Sequence, residues 1–346
     1  MRSYKEHLIL SRSTVKQALG VLNELSQDAI LFVVDENNKL IGSLTDGDVR
    51  RGLLNNFNLD AFINEIIQPN PRYIRKGQYD IQKIIEYRDE HYRLIPVLDN
   101  NDVVINVINF RFIKSYLPID AVIMAGGRGQ RLQPLTDVTP KPLLKVGDKP
   151  IMEHNLNRLA MFGIDDFWVS VKYLGEQIEE HLASNPRIKF VKENKPLGTI
   201  GAVSKIDDLN HKHILITNSD ILTNLEYEQF YLDYKNSNAD LSIAAIPYKV
   251  NIPYAVLEKD EDGIIKGFRE KPTYTYYSNG GIYLIKKSIL SKIPKNKFFN
   301  STDLMELILE QNLNLISYST NNYWLDIGSH EDFKKAKRDI NNRIFQ

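Results

Sequence analysis

"AVIMAGGRGQRLQPLTDVTPKPLL", residues 121–144, joins a short apolar run to a loop rich in glycine and cations. An apolar strand ending in Ala-Gly-Gly-Arg-Gly places that loop at the carboxyl edge of an α/β sheet, where such proteins bind ligands. Glycines there let backbone N–H groups approach an oxyanion without Cβ atoms in the way. Two familiar phosphate loops are excluded. No Gly-Lys-Ser/Thr follows, and Leu132 stands where GxGxxG needs its third glycine. Arg128 and Arg131 supply guanidinium forks suited to phosphate oxygens, and Lys141, between two prolines, supplies a point charge on a stiffened segment.

Outward from this stretch, β-rich runs at 164–173, 213–220, 240–248 and 280–287 alternate with helical patterns at 151–162, 175–184 and 302–312. That rhythm predicts an α/β fold with a mostly parallel, doubly wound sheet. Asp262-Gly263 inside "KVNIPYAVLEKDEDGIIKGFREKPT" predicts a hairpin insertion. Pro118 marks a boundary, giving an N-terminal domain over 1–117 and a second over 118–346. The first contains a weak internal repeat: "ILFVVDENNKLIGSLTDGD" (30–48) overlays "LIPVLDNNDVVINVINFRF" (94–112), with Asp35 on Asp99. Each copy reads as a helix followed by strand, turn and strand. The apolar positions are Val15, Ala18, Leu19, Leu22 and Leu25 in one, and Ile81, Ile84 and Ile85 in the other.

A chain of 346 residues fits two domains. Lys+Arg 44 against Asp+Glu 44 leaves no net charge, which argues against non-specific attraction to nucleic acid or an anionic membrane. Cysteine is absent, removing disulfides, thiolate nucleophiles and cysteine-based zinc sites. No apolar stretch approaches the ~20 residues of a membrane span, so the expected location is cytoplasmic. Trp324 reads as core, while His211 and His213, alternating in "NHKHIL", read as exposed loop residues without a metal role.

The string "MAGGRGQRLQPLTDVTPKPLLKVGDKPIMEH" resembles the N-terminal consensus of sugar-1-phosphate nucleotidyltransferases, the enzymes that make nucleotide sugars. Further matches follow in that family's order. "ENKPLGTIGAV" is similar to the element bordering the nucleobase, "LITNSDIL" carries Asp220, and "FREKPT" carries Glu270 and Lys271. "SNGGIYLI" resembles the sugar-contacting strand, and "YWLDIGSHEDF" carries Asp326. The resemblance implies attack of a sugar 1-phosphate oxygen on the α-phosphorus of an NTP, with pyrophosphate leaving. It implies that Gly126, Gly127 and Gly129 seat the triphosphate, Arg131 contacts its β- and γ-phosphates, and Lys141 neutralises charge at the reacting phosphorus. Glu193 and Gly198 belong to the nucleobase side. Lys271 grips the sugar phosphate, Glu270 binds sugar hydroxyls, and Asn279 and Gly280 shape the sugar pocket. Asp220 and Asp326 are the implied Mg²⁺ ligands, in keeping with a cation that takes one or two carboxylates plus substrate oxygens.

Residues 1–117 resemble a CBS-domain pair, on the strength of "FVVD", "LIGSLTDGD" and their weaker second copy. That resemblance implies one adenosine-nucleotide site at Thr45 and Asp48, since the second copy lacks the pair; the alternative is a segment that only dimerises the enzyme. A homo-oligomer is expected in either case. "ENKPLGTIGAV" is closest to guanylyltransferase variants, and the domain order resembles glucosamine-1-phosphate guanylyltransferases of bacterial legionaminic acid synthesis. UTP, CTP and dTTP stay open as donors. The rival from another class is a nucleotide-sensing regulatory protein whose transferase domain is inactive.

Overall fold

The computed structural model describes residues 3–342 and 344. They form two compact units, one ending at Pro118 and including Met161–Gly163, the other made of Ile119–Ala160 and the chain from Ile164 onward.

In the first unit the sequence repeat is a repeat of local structure. The elements run β1 (Leu8–Leu10), α1 (Val15–Leu25), β2 (Ile30–Val34), β3 (Leu40–Thr45), α2 (Asp46–Leu54) and β4 (Gln68–Pro69), then β5 (Ile74–Arg75), α3 (Ile81–Asp89), β6 (Leu94–Leu98) and β7 (Val104–Asn109). Helix α1 starts at Thr14, whose hydroxyl and Gln17 form a reciprocal capping box, and it buries Val15, Ala18, Leu22 and Leu25 along one face. The two hairpins are built alike. Asp35 Oδ1 accepts the N–H groups of Asn37 and Lys39, each at 2.8 Å, and Asp99 Oδ1 accepts those of Asn101 and Val103 at 2.8 and 2.9 Å. Both turns pass through a left-handed residue, Asn38 and Asp102, types that tolerate that region. Both ladders carry a bulge at the equivalent place, Val33/Val34 and Val97/Leu98. The two turns also pair with each other: Leu40 N–H donates to Asp102 O, Val104 N–H donates to Asn38 O, and Lys39 faces Val103. Because Lys39 meets its own repeat counterpart and the two flanking bonds are counterparts of each other, a local pseudo-two-fold axis passes between the turns. Val34, Leu98 and Val104 form the small core on that axis.

The copies differ at their ends. After β3 the chain enters α2, because Thr45 caps it and Asp48 closes the box. After β7 come a turn and the route to the second unit. Phe112 stands at the position equivalent to Asp48, and it has no carboxylate with which to fasten a helix start.

The second unit comprises β8 (Ile119–Ala125), β9 (Lys145–Val146), β10 (Lys149–Pro150), α4 (Ile151–Met161), β11 (Phe167–Val171), α5 (Gly175–Leu182), β12 (Ile188–Lys192), β13 (His213–Asn218), β14 (Ile221–Thr223), α6 (Tyr227–Asn236), β15 (Leu241–Asn251), β16 (Val256–Lys259), β17 (Ile265–Arg269), β18 (Thr273–Lys286), α7 (Ser301–Glu310), β19 (Leu315–Ser319), β20 (Trp324–Asp326) and α8 (His330–Asn341). Seven strands form the central sheet in the order β12-β11-β8-β13-β18-β15-β19. The pairs β12/β11, β11/β8, β8/β13 and β15/β19 are parallel, and β18 runs antiparallel to both its neighbours. The expected mostly parallel α/β sheet is present. β8 is apolar almost throughout because it is buried on both faces at the sheet centre. A core of Val122, Ile214, Ile216, Tyr283, Leu304 and Ile308, among others, lies on one side of it.

Strands β15 and β18 are longer than the sequence pattern suggests. β18 begins at Thr273, ahead of the apolar run, and pairs with β15 as far as Asn251↔Thr273. This outer part is a two-stranded arm whose tyrosines are exposed on both faces, so no hydrophobic alternation announces it. β16 and β17 form the expected hairpin, turning through Gly263 at φ +82°.

His211 and His213 depart from the exposed-loop expectation. His211 is buried, and its N–H donates to Asp120 Oδ2 at 2.7 Å. His213 opens β13 with its ring edge-on to Tyr231 and Tyr234, at 5.7 and 5.4 Å between centroids. The aromatic partners come from α6, about 20 residues further along the chain, so local pattern gave no sign of them. Burial, reinforced by nearby lysines 235, 286 and 212, pulls the His213 imidazole down to about 4. Between pH 6.5 and 4 the unfolded chain therefore binds a proton that the folded chain refuses. Stability is full above pH 6.5 and falls with acidification across that window. Denaturant titrations at pH 7 and pH 5 should show the wild type losing about 1–2 kcal/mol more than His213→Gln; equal losses would remove His213 as the cause.

Candidate active site

The carboxyl ends of β8, β11 and β13 open onto a cleft of about 490 Å³. Gly126, Gly127, Lys141, Glu193, Gly198 and Asp220 all line it. The glycine loop is fixed from outside: Gly129 adopts φ +64°, and a Cβ there would sit 3.0 Å from Thr136 Cγ2 and 3.1 Å from Lys141 Cβ. Thr136 in turn donates its hydroxyl to Gly129 O at 2.9 Å. Arg128 stacks its guanidinium 5.6 Å from the ring centroid of Tyr173, whose hydroxyl donates to Thr136 O.

Glu193 is buried beside this loop. Ser170 donates its hydroxyl to Oε1, and Leu197 N–H donates to Oε2 at 3.2 Å. A Cβ on Gly126 would stand 2.8 Å from Oε1, so only glycine lets the loop lie against the carboxylate. Gly198 turns at φ +80°, with a would-be Cβ 2.5 Å from Phe299 O. The N–H groups of Ile200 and Gly201 donate to that same carbonyl. These bonds hold Phe298, 62% exposed, at the cleft mouth. Nothing in its sequence neighbourhood marked it.

The paired aspartates come together through a small sheet. β14 and β20 are antiparallel with Ile221 opposite Asp326, and Ile327 N–H donates to Asp220 O at 3.0 Å. Lys141 lies between the two carboxylates, its Nζ 2.5 Å from Asp220 Oδ2 and 4.0 Å from Asp326 Oδ1. Burial, then the Asp220 charge, push the Asp326 carboxyl up, with Lys141 and Arg131 opposing. Asp220 Oδ1 and Asp326 Oδ1 are buried without a hydrogen-bond partner. Unfilled lone pairs on two adjacent carboxylates are the donor set a hard divalent cation accepts, so the pair could hold such an ion. Arg131 is outside the cleft lining but close by, its guanidinium 2.9 Å from where a Cβ on Gly328 would stand.

Asn279 and Gly280 follow the same edge. Gly280 O accepts the Trp324 indole N–H at 2.9 Å, and Asn279 Oδ1 accepts Gly281 N–H. Trp324 is thus half-buried with its polar end engaged. Glu270 and Lys271 are not brought to the cleft lining: they are exposed at the turn between β17 and β18, with Lys271 in the left-handed region at φ +42°.

Family models match the chain twice. The model described as nucleotidyl transferase covers residues 120–343, and the CBS domain model covers residues 8–55. The chain belongs to the nucleotidyl transferase family. Among its relatives, the mannose-1-phosphate guanylyltransferase catalytic subunit beta of Drosophila pseudoobscura pseudoobscura is 31% identical over 223 residues, covering 62% of this chain and 60% of that protein. The bifunctional protein GlmU of Methanocaldococcus jannaschii is 32% identical over 234 residues, covering 65% of this chain and 55% of that protein. The chain therefore spans about 60% of the length of the curated relatives it matches. The crystal structure of HddC from Yersinia pseudotuberculosis complexed with GMP-PN superposes with a TM-score of 0.50 at 26% identity, over 64% of this chain and 99% of that one.

A second titratable group, Asp120, Asp166 and His211, has its ligand atoms within 4.8 Å of one another. Asp120 lies at the opposite end of β8 from the cleft, and its two oxygens accept the N–H groups of Asn210 and His211. These bonds fasten the segment entering β13. Burial pushes the Asp120 carboxyl up.

In the N-terminal unit, Thr45 and Asp48 meet as a capping box. Asp48 Oδ2 accepts the Thr45 N–H and hydroxyl at 2.8 and 2.6 Å, while Oδ1 accepts Arg51 at 2.5 Å and Gln68 at 2.7 Å. A ribose would have to take the place of Arg51 or Gln68. Burial alone would raise the Asp48 carboxyl; the hydrogen bonds from Thr45, Gln68 and Arg51 outweigh it and hold the group below its usual range. Its stabilisation is therefore present at neutral pH and lost as pH falls through that lowered value. Asp48→Ala should cost about 2 kcal/mol in urea unfolding of the full chain at pH 7. A change under 0.5 kcal/mol on that scale would mean the box contributes little.

Proposed function

We propose that this chain transfers a nucleoside monophosphate from an NTP, with GTP preferred, to a sugar 1-phosphate, releasing pyrophosphate. The observation that carries the reading is Lys141 set between Asp220 and Asp326 at the edge of a glycine-floored cleft. Two polyanions must meet there, so catalysis consists mainly of positioning and charge stabilisation. A sugar phosphate oxygen bonds to the α-phosphorus, the α–β bridge breaks, and its electron pair leaves with pyrophosphate. That oxygen is already ionised at neutral pH, so no general base is required.

In this reading the amides of Gly126, Gly127 and Gly129 seat the triphosphate, Arg131 contacts the β- and γ-phosphates, and Lys141 faces the α-phosphate. Lys271 meets the phosphate of the sugar and Glu270 its hydroxyls, beside a pocket shaped by Asn279 and Gly280. A divalent ion on Asp220 and Asp326 would supply neutralisation of the reacting phosphates. An inactive regulatory domain would have no need to keep two carboxylates with unpartnered oxygens beside a lysine, and this disfavours the rival reading. For the N-terminal unit, the proposal is an adenosine nucleotide that displaces Arg51, whose side chain is 65% exposed, from Asp48.

The choice of GTP rests on Glu193. A carboxylate accepts hydrogen bonds only. Guanine presents two adjacent donors, N1–H and the 2-amino group, whereas uracil and thymine present one N–H flanked by acceptors. The relatives named as mannose-1-phosphate guanylyltransferases and the HddC complex with GMP-PN support the same base. The sugar is proposed to be of the mannose, heptose or glucosamine type.

Pyrophosphate release should be measured for GTP, UTP, CTP, dTTP and ATP against a panel of sugar 1-phosphates. Turnover is expected with GTP; silence across the panel would sink the transferase reading. Asp220→Asn and Asp326→Asn should each lower turnover by about two to four orders of magnitude while folding survives. Near-normal turnover at limiting Mg²⁺ would strip that residue of its assigned role. Glu193→Gln should lower kcat/KM for GTP by about tenfold to a hundredfold and narrow the gap to UTP. An unchanged GTP/UTP ratio would place base selection elsewhere.

A further inference from the structure

Between Asp220 and Asp326 the structure has put a cation of its own. We propose that Lys141 is the resident counterion of the metal site: without metal its ammonium neutralises the two carboxylates, and it transfers from Asp220 to the phosphate when metal and nucleotide enter together. This rests on the transferase reading above and adds a coupling that the reading does not contain.

The geometry separates neutralisation from satisfaction. Lys141 reaches one oxygen, Asp220 Oδ2, at 2.5 Å, while Asp326 Oδ1 is 4.0 Å away and beyond hydrogen-bond range. Asp220 Oδ1 and Asp326 Oδ1 remain buried with no partner. An ammonium therefore offsets the charge and leaves two lone-pair positions unfilled. A divalent cation bonding oxygens at about 2.0–2.1 Å suits those positions, but it cannot enter beside a cation only 2.5 Å from Asp220 Oδ2 without strong repulsion.

Lys141 cannot retreat by moving its backbone. Pro140 and Pro142 flank it, the segment Lys141–Leu143 forms a 3-10 turn, and the side chain is only 11% exposed. Its four-carbon stem is the part that can swing, and it needs an anion to swing towards. The triphosphate is that anion. Metal alone and Lys141 thus compete for Asp220, whereas metal with nucleotide relieves the competition. Metal and nucleotide must then bind with positive coupling, and the coupling must be reciprocal.

Mn²⁺ binding to the full chain, read by the electron paramagnetic resonance signal of the free ion, tests this without any turnover. The nucleotide is the non-hydrolysable analogue of whichever NTP the pyrophosphate assay selects. With the Mn²⁺ taken up by the analogue alone measured and subtracted, wild type should bind Mn²⁺ weakly by itself and at least tenfold more tightly with the analogue. Lys141→Met should bind Mn²⁺ at least tenfold more tightly than wild type with no nucleotide present, and the further gain from the analogue should shrink. Lys141→Gln should behave likewise, and circular dichroism should show both variants folded. Adding Asp220→Asn to Lys141→Met should abolish the gain. If the folded lysine variants bind Mn²⁺ no better than wild type, or if the gain survives Asp220→Asn, the proposal is overturned. If wild type with the analogue binds no Mn²⁺ at all, the transferase reading itself fails. Wild type that couples the two ligands while the lysine variants show no gain leaves that reading standing and removes only the counterion role.

Discussion

Two partly buried carboxylates held side by side repel each other, and the second unit is arranged around keeping them there. Asp220 lies two residues beyond the end of a central strand, and Asp326 ends a short strand more than 100 residues later. What joins them is the pairing of Ile221 with Asp326 and the bond from Ile327 N–H to Asp220 O. Beneath that pairing lies a separate apolar core containing Leu132, Val146, Leu222, Leu325, Ile327 and Phe333. Leu132 belongs to the glycine-rich stretch and Phe333 to α8, so this core also ties the glycine loop and the C-terminal helix to the same place. Lys141 then offsets the repulsion that the backbone imposes. The cost of the like charges is met by packing and one cation.

Much of the fold could be read from sequence because its signals were local. The apolar β8 ending in glycines, the Asp-Gly turn at 262–263 and the paired Asp35 and Asp99 turns each depend on residues within a few positions of one another. The aspartate turns were especially legible, since a carboxylate accepting N–H groups two and four residues on is written into the residue types and spacing. The arm of β15 and β18 was not legible, because exposed tyrosines on both faces erase the period of two that marks a half-buried strand. His211 and His213 were misread for a related reason: their partners, Asp120 in one case and the α6 tyrosines in the other, are supplied by tertiary structure.

The site shows the same division. Gly126, Gly127, Lys141, Glu193, Gly198 and Asp220 are brought to one cleft, while Glu270 and Lys271 stand apart at the exposed turn between β17 and β18. Sequence resemblance carries order along a chain and is silent about which side chains are already engaged. Asp48 illustrates the difference: its spacing from Thr45 suits a ligand, and the same spacing makes the capping box that uses up its oxygens. A motif can therefore be correctly found and still be committed to structure first.

The two ends of the cleft use carboxylates in opposite ways. At one end Asp220 and Asp326 leave oxygens unfilled, which suits groups whose partner arrives with the substrate. At the other, both oxygens of Glu193 are tethered, by Ser170 and by Leu197. A tethered carboxylate has lost its freedom to rotate, so its position in the cleft wall is fixed by the fold. Gly126 links this end to the phosphate loop, because the same absence of Cβ that opens the loop to an oxyanion lets it pack against Glu193 Oε1. A side chain at Gly126 would crowd Glu193, so the glycine loop and the segment from Glu193 to Gly198, though about 70 positions apart in sequence, form one packed wall of the cleft.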